Sequence, residues 1–120
     1  MNQHIVITGA ASGLGCAVCR RFAQSGATVY GIDINEPALQ DLKSTLGERF
    51  VPVSCDVSHW EDVDRVFQRF SQIDVLVNSA GITGKTNLKS HDTDPVDVER
   101  VFRLNFFGCY HTAKAALPRM

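Results

Sequence analysis

The chain predicts an α/β fold in which parallel strands are covered by helices on both faces, and three observations lead there. Short Val/Ile-rich runs alternate with segments of helical period along all 120 residues. The strand candidates are continuously apolar, which suits strands buried on both sides. Glycine or proline marks most of the junctions between elements, with no internal repeat and no low-complexity linker.

His4-Ile5-Val6-Ile7-Thr8 is a β-branched run that stops at Gly9. Gly13 to about Ser25 reads as a helix, with Leu14, Ala17, Val18, Phe22 and Ala23 forming an apolar stripe and Gly26 ending it. Ala27 to Asp33 is the second strand. Asn35-Glu36-Pro37 opens a helix that reaches Leu46, with Gly47 behind it. Phe50 to Cys55 is the third strand, and Pro52 assigns it to a sheet edge because proline lacks the ladder donor. Ser58-x-x-Glu61 has the form of a capping box ahead of Val63, Val66, Phe67 and Phe70. Ile73 to Val77 is the fourth strand. A polar loop spans Gly81 to Asp94, and Asp94-Pro95 starts a last helix running toward Pro118.

Composition excludes several classes. Twelve Lys and Arg against thirteen Asp and Glu leave a net charge of −1. That gives no broad attraction to nucleic acid or to an anionic membrane. No run approaches the roughly 18 apolar residues of a membrane span. The first strand begins within four residues of Met1, which leaves no room for a secretory leader and makes the cytoplasm the expected location. Cys16, Cys19, Cys55 and Cys109 are accordingly expected as free thiols. Cys16-x-x-Cys19 admits a redox or zinc reading, but His4, His59, His91 and His111 are scattered and supply no second ligand pair. No metal site is expected.

In parallel sheets, ligands bind beyond the carboxyl ends of the strands, so the strand ends carry the functional question. The first is followed by Thr8-Gly9-Ala10-Ala11-Ser12-Gly13-Leu14-Gly15, a T-G-x-x-x-G-x-G turn into a helix. Glycines permit close approach of a bulky anion to the free N–H groups of the helix start. Asp33 ends the second strand 18 residues after Gly15, near the ~20 expected of a carboxylate that accepts from an adenosine ribose. No Arg or Lys stands at Ser12 or Ile34 to neutralise a 2′-phosphate, so NAD is expected over NADP. Asp56-Val57 follows the third strand, where a carboxylate can accept from the adenine amine. Asn78-Ser79-Ala80-Gly81 follows the fourth, with small residues where a cofactor would pass close to the backbone.

Taken jointly, these motifs resemble the short-chain dehydrogenase/reductase family over all 120 residues, which correspond to the N-terminal half of a typical member. The resemblance implies a Rossmann-like doubly wound parallel sheet, here ending after the fourth strand and its following helix. It implies cofactor binding by Gly9, Ser12, Gly13, Leu14, Gly15, Asp33, Ile34, Asp56, Val57, Asn78, Ala80 and Gly81. Ser79 departs from the family's N-N-A-G motif, in which the second residue is Asn. Asn105 falls at the family's catalytic helix asparagine, which helps hold a water beside the active-site lysine. Members move hydride between a nicotinamide and an alcohol or ketone and form homodimers or homotetramers.

Helical spacing places Val98, Val101, Phe102, Asn105, Cys109, Thr112 and Ala116 on one face, so Asn105 is expected to be buried. Tyr110-x-x-x-Lys114 spells the family's catalytic Y-x-x-x-K but is set aside. At 100° per residue Tyr110 and Lys114 lie roughly 140° and 180° around the helix from Asn105. The gap of five residues between Asn105 and Tyr110 is also far shorter than the family's. The catalytic Ser, Tyr and Lys are therefore expected outside this chain, which alone should bind NAD weakly, dissolve poorly and not turn over. Two other functions stay open: a non-catalytic NAD-binding or pairing module, and a redox or metal protein using Cys16 and Cys19.

Overall fold

A computed structural model describes residues 2–120. Four parallel strands, β1 (His4–Thr8), β2 (Thr28–Asp33), β3 (Phe50–Ser54) and β4 (Val75–Asn78), form one sheet in the order β3-β2-β1-β4. Pro52 sits on the outer strand β3, opposite Gly31, where its missing N–H costs the ladder nothing. The other edge is β4, whose Val75, Leu76 and Val77 are only half-buried.

Alternation of side chains along each strand sorts the core into two layers. Ile5, Ile7 and Val29 join Cys19, Leu39 and Leu42 beneath α1 (Gly13–Gln24) and α2 (Glu36–Leu46). Val6, Ile32 and Val53 join Val63, Phe67 and Ala116 beneath α3 (Trp60–Phe67) and the C-terminal helix. Helices thus cover both faces. Because both layers are dry, the strands had to be apolar throughout, and their carboxyl ends open along one rim.

The helix starts differ from the sequence reading at one point. Asn35 caps α2, accepting from the Ala38 N–H at 3.2 Å, and Asp94 accepts from Val96 at 3.0 Å. The Ser58 capping box does not form. His59 occupies the cap position of α3, and the Ser58 hydroxyl instead donates to Asp56 Oδ1 at 2.6 Å. The side chain is turned toward the carboxylate two residues back, away from the helix N–H groups it would have accepted from.

The last helix is not continuous. It consists of α4 (Pro95–Phe102), a π turn over Arg103–Phe107, and α5 (Gly108–Ala116). The Gly108 N–H donates to the Arg103 carbonyl, five residues back. One extra residue in the turn rotates everything beyond it by about 100°. The expected single face therefore breaks. Thr112 and Ala116 are fully buried, whereas Phe102 is 59% exposed and Asn105 also faces out.

Candidate functional site

A cleft of about 810 Å³ lies along the carboxyl ends of the strands. Its floor begins at Gly9, which has φ +66°. A Cβ there would lie 2.8 Å from Ala80 N and from the Ser79 carbonyl, so the β1 turn packs directly on the β4 exit. Gly15 does not line the cleft. A Cβ on it would run into the Gly9 carbonyl, so its role is to let α1 sit against the turn.

Ser12, Gly13 and Leu14 form one wall. Ser12 is extended at the cap position of α1, yet its side chain makes no capping bond and the first turn has no acidic residue. The N–H groups of that turn are left without intrahelical partners, and the space beside Gly13 is open. Leu14 projects with 73% of its surface exposed. A diphosphate fits this opening, because exposed helix N-terminal N–H groups favour anions.

Asp33 and Ile34 continue the wall at the end of β2. The Asp33 carboxylate is held at both oxygens: Oδ2 accepts from the Ala11 N–H at 3.0 Å and Oδ1 from the Asn35 N–H at 2.9 Å. Two backbone bonds fix its direction, and each oxygen keeps a lone pair for a ligand hydroxyl. No cationic side chain lies between it and Ser12 along the cleft.

Asp56, Val57, Ser58 and His59 line the far end. Burial pushes the Asp56 pKa up, but the Ser58 hydroxyl and N–H bound to Oδ1 outweigh it, with His59 adding to their effect. The net shift is below the ordinary value of 3.8, so Asp56 is a carboxylate. His59 Nδ1 lies 3.6 Å from its second oxygen.

The β4 exit closes the cleft with Ser79, Ala80, Gly81 and Ile82. Asn78 does not line the cleft; it is exposed at the end of the edge strand β4, where its Oδ1 accepts from the Thr112 hydroxyl at 2.6 Å. Thr8 Oγ1 accepts from both the Ser79 and Ala80 N–H groups at 3.1 Å. At Ser79, where the family motif has a second Asn, the backbone N–H makes this contact. Asn105 stands at the rim and clasps Ile82: Oδ1 accepts from its N–H at 2.9 Å, and Nδ2 donates to its carbonyl at 2.7 Å.

Sequence reasoning placed Thr8 in the glycine motif without giving it a role, and missed Thr112 beside it as well as His59, Arg100, Arg103 and Leu104 on the cleft wall. Motif positions pointed to Thr8. Nothing in the sequence pointed to Arg103, which shares its helical face with Arg100 at the start of the π turn. Tyr110 and Lys114 lie away from the cleft, with Lys114 Nζ 5.2 Å from the Trp60 ring centroid and 6.0 Å from that of Tyr110.

The thiols are free. Cys19 is fully buried, and burial with the neighbouring Cys16 pushes its pKa to about 12. Cys55 is raised to about 11, mainly by burial. Redox chemistry runs through a ready thiolate, and Cys19 is the opposite. Among the described residues no three His, Cys, Asp or Glu side chains converge as metal ligands, and no helix is long and apolar enough to cross a membrane.

Comparison with known proteins agrees with this geometry. A family profile described as "short chain dehydrogenase" matches residues 3–120. The chain is 40% identical to 3beta-hydroxysteroid dehydrogenase 2 of Eggerthella lenta, over 95% of this chain and 46% of that protein. It is 33% identical to 2-(R)-hydroxypropyl-CoM dehydrogenase of Xanthobacter autotrophicus, over 100% of this chain and 52% of that protein. Among solved structures, 3-ketoacyl-(acyl-carrier-protein) reductase from Brucella melitensis complexed with NADH superimposes with a TM-score of 0.90 at 30% identity, covering 98% of this chain and 49% of that one. A closed form of serine dehydrogenase complexed with NADP+ gives 0.93 at 29% identity, covering 98% and 49%. The chain spans about half the length of the curated relatives it matches. It belongs to the short-chain dehydrogenase family.

Proposed function

We propose that the protein is an NAD-preferring oxidoreductase that moves hydride between a nicotinamide and an alcohol or ketone, and that residues 1–120 are its cofactor-binding part. The observation that carries this reading is the Asp33 carboxylate, fixed by Ala11 and Asn35 beside the uncapped start of α1. One group offers hydroxyl acceptors, the other offers anion donors, and the cleft joins them.

Each segment has a task. Gly9, Ser12, Gly13 and Leu14 receive the diphosphate, and Gly15 lets α1 approach closely enough to present its N–H groups. Asp33 accepts from the ribose hydroxyls and would repel a 2′-phosphate, while Ile34 covers the sugar with an apolar side chain. Asp56 accepts from the adenine amine through Oδ2, since Oδ1 is committed to Ser58. Val57, Ala80 and Gly81 form an apolar slot that excludes water, and Asn78 braces the β4 exit through Thr112. Asn105 acts as a positioning residue, holding Ile82 and with it the wall nearest the chemistry. The bound cofactor supplies the hydride acceptor or donor. A proton donor matched to the substrate oxygen is also needed, and we assign it to residues outside 1–120, because Tyr110 and Lys114 lie off the cleft.

The aromatic surface of Phe102, Phe106 and Tyr110, each more than half exposed, supports homodimer or homotetramer formation by the complete protein. The free thiols of Cys16, Cys19, Cys55 and Cys109 favour a reducing, cytoplasmic location. Asp33→Ala, made in the complete gene product, is the direct test. Calorimetry should show NADH affinity falling about tenfold or more, as expected for a charged hydrogen-bond acceptor, with the NADH-to-NADPH ratio moving toward NADPH. Unaltered affinity for both would end the reading.

A further inference from the structure

The π turn does more than interrupt the last helix. It begins at Arg103, and the cleft is lined by Arg100, Arg103 and Leu104 from this one helical face. Leu104 packs against the core layer that contains Val57. One turn further on, Gly108 lies so close to Val57 that an added Cβ would stand 3.0 Å from its methyl. The helix wall and the Asp56–Val57 wall are therefore two sides of the same slot.

The two arginines are in different states. Arg100 is spent on Asp97, 2.7 Å away. Arg103 makes no hydrogen bond or ion pair among the described residues, and it is exposed on the cleft. A planar, delocalised cation thus overhangs an apolar slot that has a carboxylate on its opposite side. The complementary ligand is flat, aromatic and electron-rich on its face, with an amine at one edge. A purine has all of these features.

We propose that Arg103 closes over the base of the bound dinucleotide, with its guanidinium stacked on the purine face opposite Val57. This rests on the dinucleotide reading above and assigns the base-clamping residue within it. Cation–π contact with a partly exposed ring gives a modest gain, and a guanidinium provides it in a way that an ammonium does not, because it can lie flat on the ring.

The test uses the complete gene product carrying Arg103→Ala or Arg103→Lys, titrated by fluorescence with NADH and with reduced nicotinamide mononucleotide, which lacks the adenosine. Arg103→Ala should weaken NADH about five- to tenfold and leave the mononucleotide unaffected. Arg103→Lys should recover less than half of the loss. Equal weakening of both ligands, no weakening of NADH, or full recovery with lysine would overturn the proposal, the last by showing a simple charge contact with phosphate. Wild-type protein that ignores NADH would instead defeat the dinucleotide reading itself, so the two failures are distinguishable.

Discussion

The Thr112 hydroxyl donates to Asn78 Oδ1 at 2.6 Å, joining the middle of α5 to the end of β4. Both partners belong to a small polar network under the cleft, since Thr8 lies 3.5 Å from the same Asn78 oxygen and receives the Ser79 and Ala80 N–H groups. A hydroxyl has one proton to give, and the short contact claims that of Thr112. The network fixes the β4 exit from below without occupying the cleft.

Thr112→Val keeps the shape and removes the donor. Thr112 is fully buried, but the Asn78 oxygen stays open to solvent and to the Thr8 hydroxyl, so the loss should be that of one net hydrogen bond, about 0.5–1.5 kcal/mol, visible as a lower thermal midpoint. Thr112→Ser retains the hydroxyl and should recover most of that loss. Equal midpoints for wild type and the valine variant would remove Asn78 from the network.

Asn105 is a clasp between the π turn and Ile82. Asn105→Leu should release both bonds, and amide exchange at Ile82 should speed up by about fivefold, corresponding to roughly 1 kcal/mol for net hydrogen bonding. Protection at β1 should stay as it was, because that strand is held by its own ladders on both sides.

Acid sensitivity follows from three aspartates. Asp56 is lowered despite burial by its Ser58 bonds, Asp74 by the N–H of His4 and by Gln72, and Asp97 by the N–H of Lys85 and by Arg100. A carboxylate with a depressed folded-state pKa binds its proton more readily when unfolded. Its stabilisation is therefore complete above the ordinary 3.8 and is lost as pH falls through the lower folded values. Stability should be flat from pH 7 to about 5 and then decline below about pH 4. Asp97→Asn should shrink the decline, as chemical denaturation at each pH would reveal.

Thiol reactivity should split in pairs. Ellman's reagent at pH 8 should modify the half-buried Cys16 and Cys109 in the folded protein. Cys19 and Cys55, raised to about 12 and about 11, should react only after denaturant is added. Rapid modification of Cys19 in the native state would reopen the redox reading of Cys16-x-x-Cys19.

The order of strands and helices, the parallel sheet, the edge position of Pro52 and the loaded strand ends all follow from local rules. Continuous apolar runs, capping residues such as Asn35 and Asp94, and glycine spacing each act within a few residues, so the sequence determined them alone. The π turn and the exposure of Asn105 depend on how α4 and α5 must bend to reach both Ile82 and Val57. That is a compromise between contacts 23 residues apart at Asn105 and 54 apart at His111, which only tertiary packing could impose. Ser58 follows the same logic at shorter range: a capping box needs its hydroxyl to accept from a helix N–H, and the folded position of Asp56 turns it into a donor to that carboxylate instead.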